Sequence, residues 1–174
     1  MKYIRLRYLF FKGALLIGLL MSLTHQTLAD DVRDADIDKD MARLKTAMLQ
    51  KDQATLIDMM YERIVELGGG RDKLLAQTKA LDTKVDTTSF EASKPYRYFS
   101  GQQNDYVVVP THILMTINDH HYDSTSFELG IKSHQDGKWE YIDGAGLNPQ
   151  FRAQLLSDIP QDVVLPNHSI KQVD

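Results

Sequence analysis

Between Tyr106 and Asp143 the chain carries three consecutive runs of alternating character, and this stretch limits the possible folds more than any other. The first, Tyr106 to Ile117, is dense in β-branched and aromatic residues, which suit a pleated surface. Val107, Val109, Thr111, Ile113, Met115 and Ile117 share one face and are nearly all apolar, so that face is expected to be buried. Asn118-Asp119-His120-His121 supply a turn. A second run, Tyr122 to Ser133, places Phe127, Leu129 and Ile131 on one face and Glu128 and Lys132 on the other. Asp136-Gly137 is a hairpin signal, because both residue types tolerate the positive φ of tight turns. The third run, Lys138 to Asp143, sets Trp139, Tyr141 and Asp143 on one side. Together these runs predict the middle of a curved antiparallel sheet. Pro110 cannot donate a ladder hydrogen bond and is read as a bulge, which leaves the face of His112 open.

The first 29 residues have a different logic. Lys2, Arg5, Arg7 and Lys12 precede an uncharged apolar run, Gly13 to Leu23, and small residues end the segment at Ala29. That order is the pattern of a secretory signal peptide, so cleavage after Ala29 and a periplasmic or secreted location are expected. The alternative, an uncleaved anchor, is opposed by an apolar run shorter than the roughly 20 residues of a spanning helix, so no stable membrane anchor is expected after cleavage. The chain has no cysteine, which leaves packing alone to hold the fold. Loss of residues 1–29 takes Lys+Arg from 20 to 16 against 24 Asp+Glu, moving the formal charge from -4 to about -8. An acidic domain of this kind is a poor partner for nucleic acid or anionic lipid, whose phosphates are met by Lys and Arg.

Residues 30–40 are mostly acidic and read as a flexible, solvated lead-in to a single domain over 41–166. Met41, Leu44 and Met48 have the spacing of a buried helical stripe, and methionine there is more often core filler than ligand. Leu56, Ile57, Met60, Ile64 and Leu67 predict a second helix over about 53–67, capped by Asp52 and ended by Gly68-Gly69-Gly70. The glycines are read as punctuation, since no Gly-Lys-Ser/Thr follows them. A third helix is expected over about 72–81. Pro95 then separates an edge strand from a short strand around Tyr96 to Phe99. Asn148-Pro149 reads as a cap with proline at the first helical position. Val163 to Pro166 read as a closing apolar segment and 167–174 as a loose tail.

The helical pair ending at Gly70, the long strand Tyr106 to Ile117, and the segment Gly137 to Gly144 with its following helix resemble the NTF2-like (SnoaL-like) superfamily, in its exported, uncharacterised bacterial members. The resemblance implies an α+β cone, with a curved antiparallel sheet packed against two or three N-terminal helices, a short C-terminal helix and a pocket between them. It also implies that a homodimer is plausible. Fold analogy does not choose among the superfamily's isomerases, dehydratases, binders and assembly modules.

The residues offer no catalytic constellation, no metal site and no cofactor motif. His120-His121 are adjacent in an extended segment and point apart, without a spaced third ligand. His112 interrupts an apolar strand, where imidazole shuttles protons or simply takes a hydrogen bond in a half-buried place. Asp143 shares a face with Tyr141 and Trp139, where apolar walls would make it a base, although Asp143-Gly144 is also a turn signal. Tyr61, Tyr96 and Tyr98 are candidate pocket phenols, with Tyr141 beside His112 and Asp143, or plain packing. The expectation is a non-enzymatic exported domain that binds a small-molecule ligand or a protein partner. The alternatives are an acid/base enzyme using His112 and Asp143, and a structural dimerisation module with a filled interior.

Overall fold

The computed structural model describes residues 33–81, 84–160 and 162–173; the expected signal segment lies outside them. The chain divides into two units at Lys39/Asp40. The helical run 33–50 crosses that division, and α1 here means its part in the second unit, residues 40–50. Residues 33–40, expected as a solvated lead-in, are therefore helical, and Ile37 among them is buried. Ile37, Met41 and Leu44 continue one apolar stripe a turn further back, which the acidic neighbours had masked.

Asp52 caps α2 (Gln53–Met59) as expected, accepting from Thr55 N at 3.1 Å. The single helix expected over 53–67 is broken at Met60, whose backbone is extended and bridges to Tyr141 in the sheet. Tyr61 N donates to Tyr141 O at 3.0 Å, so a helical hydrogen bond is exchanged for one to the outer strand. Helix α3 (Glu62–Leu67) restarts after Tyr61, and Glu140 Oε2 accepts from its first amide, Glu62 N, at 3.0 Å. Gly69 and Gly70 have φ of 89° and 96°, the left-handed backbone that ends α3 before α4 (Arg71–Leu81).

The sheet is antiparallel throughout, with strands β1 (Val85–Ala92), β2 (Arg97–Ser100), β3 (Asn104–Ile117), β4 (His120–Ser133), β5 (Trp139–Asp143) and β6 (Ser169–Gln172). The path runs β1-β3-β4-β5. Strand β3 is paired by β1 and β2 in tandem on one side, and β4 by β5 and β6 in tandem on the other. The tail expected to be loose thus forms β6, because β5 covers only Glu128 to Lys132 and leaves Tyr122 to Thr125 with open backbone groups. The β3–β4 turn is only Asn118-Asp119, with φ of 49° and 68°, so His120 and His121 belong to the strand.

Pro110 is not a bulge. The β3–β4 register runs through it unbroken, and the sheet's irregularity lies in β1 between Thr87 and Ser89. Pro110 O accepts from Ser93 N at 2.9 Å, so its amide side faces the junction between β1 and β2, where no strand needs a donor. Alternation therefore holds along β3. The first face of the sheet carries Tyr106, Val108, Pro110 and His112 with Phe127, Leu129, Ile131 and Ile142. The second carries Val107, Val109 and Thr111 with Ser126, Glu128, Gly130, Tyr141 and Asp143.

Both faces are covered at the centre. On the first, Leu155 of α5 (Pro149–Leu155), then Leu156, Ile159 and Val163, complete the core. Asn148 Oδ1 caps α5 through Phe151 N at 2.9 Å. On the second, Tyr141 Oη donates to Asp40 Oδ2 of α1 at 2.8 Å. Strand β4 is consequently buried on both sides from Ser126 to Ile131, and Glu128, on the face opposite Phe127 and Leu129, is only 4% exposed.

Asp158, just after α5, fastens the loop before β3. Its carboxylate accepts from Gln102 N at 2.6 Å, Asn104 N at 3.1 Å and Tyr106 Oη at 3.3 Å. Gly101 is required there by close approach, since a Cβ would lie 2.6 Å from the Asp158 carbonyl oxygen. Burial pushes the Asp158 carboxyl up, but the loop amides outweigh it and hold the group below its ordinary 3.8. A depressed folded value means that the stabilisation is present above the unfolded value and is lost as pH falls through the folded one. Asp158→Asn is expected to cost about 1 kcal/mol at neutral pH and to flatten the acid limb of stability, measured by urea unfolding at a series of pH values.

Candidate functional site

A cavity of about 520 Å³ lies where α1 to α4 and α5 meet the end of β5. Its walls include Met48 of α1, Leu56 and Met59 of α2, Met60, Ile64 of α3 and Leu74 of α4. Phe151 and Leu155 of α5 close it from the first face. Every lining residue is apolar or glycine except Glu128, Tyr141 and Asp143, and none is Lys, Arg or His. The break between α2 and α3 helps to form this space, because pairing of Met60 with Tyr141 holds both helices against the β5 edge.

The polar end is built by register. Glu128 of β4 and Asp143 of β5 are direct cross-strand partners, so their side chains leave the second face together. Asp143 Oδ1 accepts from Ser126 Oγ at 3.2 Å and from Ala145 N at 2.9 Å, which fixes its carboxylate at the strand end. Glu128 has no hydrogen-bond partner among the described residues. Burial first, and then the like charge of Asp143, hold its carboxyl well above the ordinary carboxylate range and favour its protonated form. Burial and then the Asp40 charge also push the Tyr141 phenol upward, so Tyr141 stays a donor to Asp40. A buried carboxyl without a partner is costly. In a cavity lined by hydrocarbon, it is the group a ligand would satisfy.

Of the residues singled out in the sequence, Tyr141 and Asp143 come together at this cavity. Tyr98 lies on the same face, in one cross-sheet row with Val107, Gly130 and Tyr141, but does not line the space. Tyr61 packs instead against the core of the first face. His112 is also on the first face, with Nε2 2.8 Å from Asp123 Oδ1 and both side chains 41% exposed. His112 and Asp143 therefore stand on opposite sides of the sheet, and an acid/base pair of these two is not assembled.

His121 Nδ1 meets Thr116 Oγ1 at 3.1 Å and His120 Nδ1 meets Gln172 Nε2 at 3.3 Å. No group of three or more His, Cys, Asp or Glu side chains placed to hold a metal occurs among the described residues. Among those residues, too, no helix is long and apolar enough to cross a membrane.

Glu128 is the site residue that sequence reasoning missed. Its alternation with Phe127 and Leu129 set it on the face opposite them, with Lys132, but its companions on that face, Ser124, Ser126 and Gly130, are all small. A run of small residues beside one carboxylate is the mark of a face that something packs against closely. No family model, curated protein or solved structure matches the chain.

Proposed function

We propose that this is an exported, NTF2-like domain that binds a small, largely apolar ligand and does not act as a catalyst. The observation that carries the reading is the buried Glu128 carboxyl, without a partner, facing an apolar cavity of about 520 Å³. A space of that size is within the range of small-molecule sites, which combine apolar walls with a few convergent polar groups. It also speaks for ligand binding over a domain whose interior is filled to serve assembly alone. The cone-like class is supported by an antiparallel sheet with N-terminal helices and a short C-terminal helix packed against it. Export is supported by the order of basic, apolar and small residues before Asp30. Homodimerisation rests on the resemblance alone and is best read by sedimentation velocity.

The test is saturable binding of a neutral apolar dye, N-phenyl-1-naphthylamine, followed by its fluorescence. One site per chain is expected, and Met48→Trp, which narrows the cavity, is expected to weaken binding about tenfold. A folded chain that binds neither this dye nor any co-purifying small molecule in native mass spectrometry would refute the reading.

A further inference from the structure

Three carboxyl oxygens beside the cavity lack a donor among the described residues. Asp143 Oδ1 is occupied by Ser126 Oγ and Ala145 N, but Asp143 Oδ2 and both Glu128 oxygens accept nothing. Glu128 is 4% exposed, and no basic side chain lines the space that both residues face. An anionic head group placed here would meet the Asp143 carboxylate at the exposed end of β5 and would leave water beside the buried Glu128 with no basic side chain to pair with it. A neutral hydroxyl brings one donor and leaves Glu128 protonated, whereas a bound cation favours its ionised form and makes all three open oxygens acceptors. A primary ammonium brings three N–H donors on a compact positive charge, matching the open oxygens in number and in sign.

Building on the ligand-binding reading above, we propose that the cavity takes a primary amine with an apolar body, its ammonium bridging the carboxyl groups of Glu128 and Asp143. The body lies along Met48, Met59 and Met60, whose flexible thioethers adapt to different shapes. Burial and the proximity of Asp143 raise the Glu128 carboxyl, and a cation between the two groups relieves the repulsion that contributes to that shift. Direct charge-assisted hydrogen bonds are also stronger than neutral ones, which sets amine apart from alcohol.

Isothermal titration of the full chain with octylamine, octanol and octanoate varies the head group at constant chain length. Octylamine is expected to bind one to one and about tenfold or more tighter than octanol, with octanoate weakest. Glu128→Gln removes the charge at nearly constant shape. It is expected to lose most of the preference for octylamine over octanol, and Asp143→Asn to do the same, with circular dichroism reporting that each variant is folded. Octanol bound as tightly as octylamine, or a preference unchanged in Glu128→Gln, overturns the amine assignment while leaving the cavity reading in place. Failure of all three compounds to saturate the folded chain overturns both.

Discussion

Replacing Glu128 by leucine is expected to raise the free energy of unfolding by about 1–3 kcal/mol at neutral pH, the cost of a buried polar group with no partner. Most core substitutions do the reverse, so the sign is diagnostic. Glu128 donates and accepts nothing among the described residues, so its removal orphans no other group. The gain should also depend on pH. Because the folded carboxyl sits well above its ordinary 4.5, the unfolded chain releases its proton first as pH rises, and the wild-type fold loses stability between the unfolded and folded values. Below 4.5 both states hold the proton and this part of the difference vanishes. Urea unfolding of both proteins across that window measures it. A destabilised Leu variant, or a difference that shrinks as pH rises, would mean that Glu128 is held by a partner. The stabilised variant is expected to lose ligand binding, as when a strained functional group is traded for stability.

Gly130→Val is expected to cost about 3 kcal/mol, near the upper end for overpacking a well-packed interior. Strand propensity alone predicts the opposite, since valine suits a central strand better than glycine. Packing decides the sign here: a Cβ at Gly130 would lie 2.5 Å from Val107 Cγ1, 3.1 Å from Tyr141 Cε1 and 3.3 Å from Trp139 Cε3. Val107 is fully buried and has no room to yield. Tyr141 would have to shift, pulling on its hydrogen bond to Asp40 and on the cavity wall. Thermal unfolding followed by circular dichroism reads the loss. A variant as stable as the wild type would mean that the row Tyr98-Val107-Gly130-Tyr141 is looser than its contacts imply.

Much of the architecture was legible because it is written locally. Alternation from Tyr106 to Asp143 predicted three antiparallel strands, and Asp136-Gly137, Asp52 and Asn148-Pro149 marked turns and caps through their own side chains and backbone preferences. The errors fall where a distant segment overrode a local preference. Met60 leaves its helix because Tyr141 offers a backbone partner, and Ser169 to Gln172 become a strand because β4 has an edge to fill. Pro110 stays in register because its amide side meets the gap between β1 and β2.

The candidate site follows the same division. Tyr141 and Asp143 were visible as one side of a short strand, a matter of period-two geometry within five residues. Glu128 was not, because whether the second face of β4 meets water or helices is a property of segments far away in the chain. By itself, the sequence determined the strands, their period and the acidic character, since these are set residue by residue. Only the tertiary structure decided that Glu128 and Asp143 share a cavity and that His112 lies on the other side, because register and coverage come from contacts between remote parts of the chain.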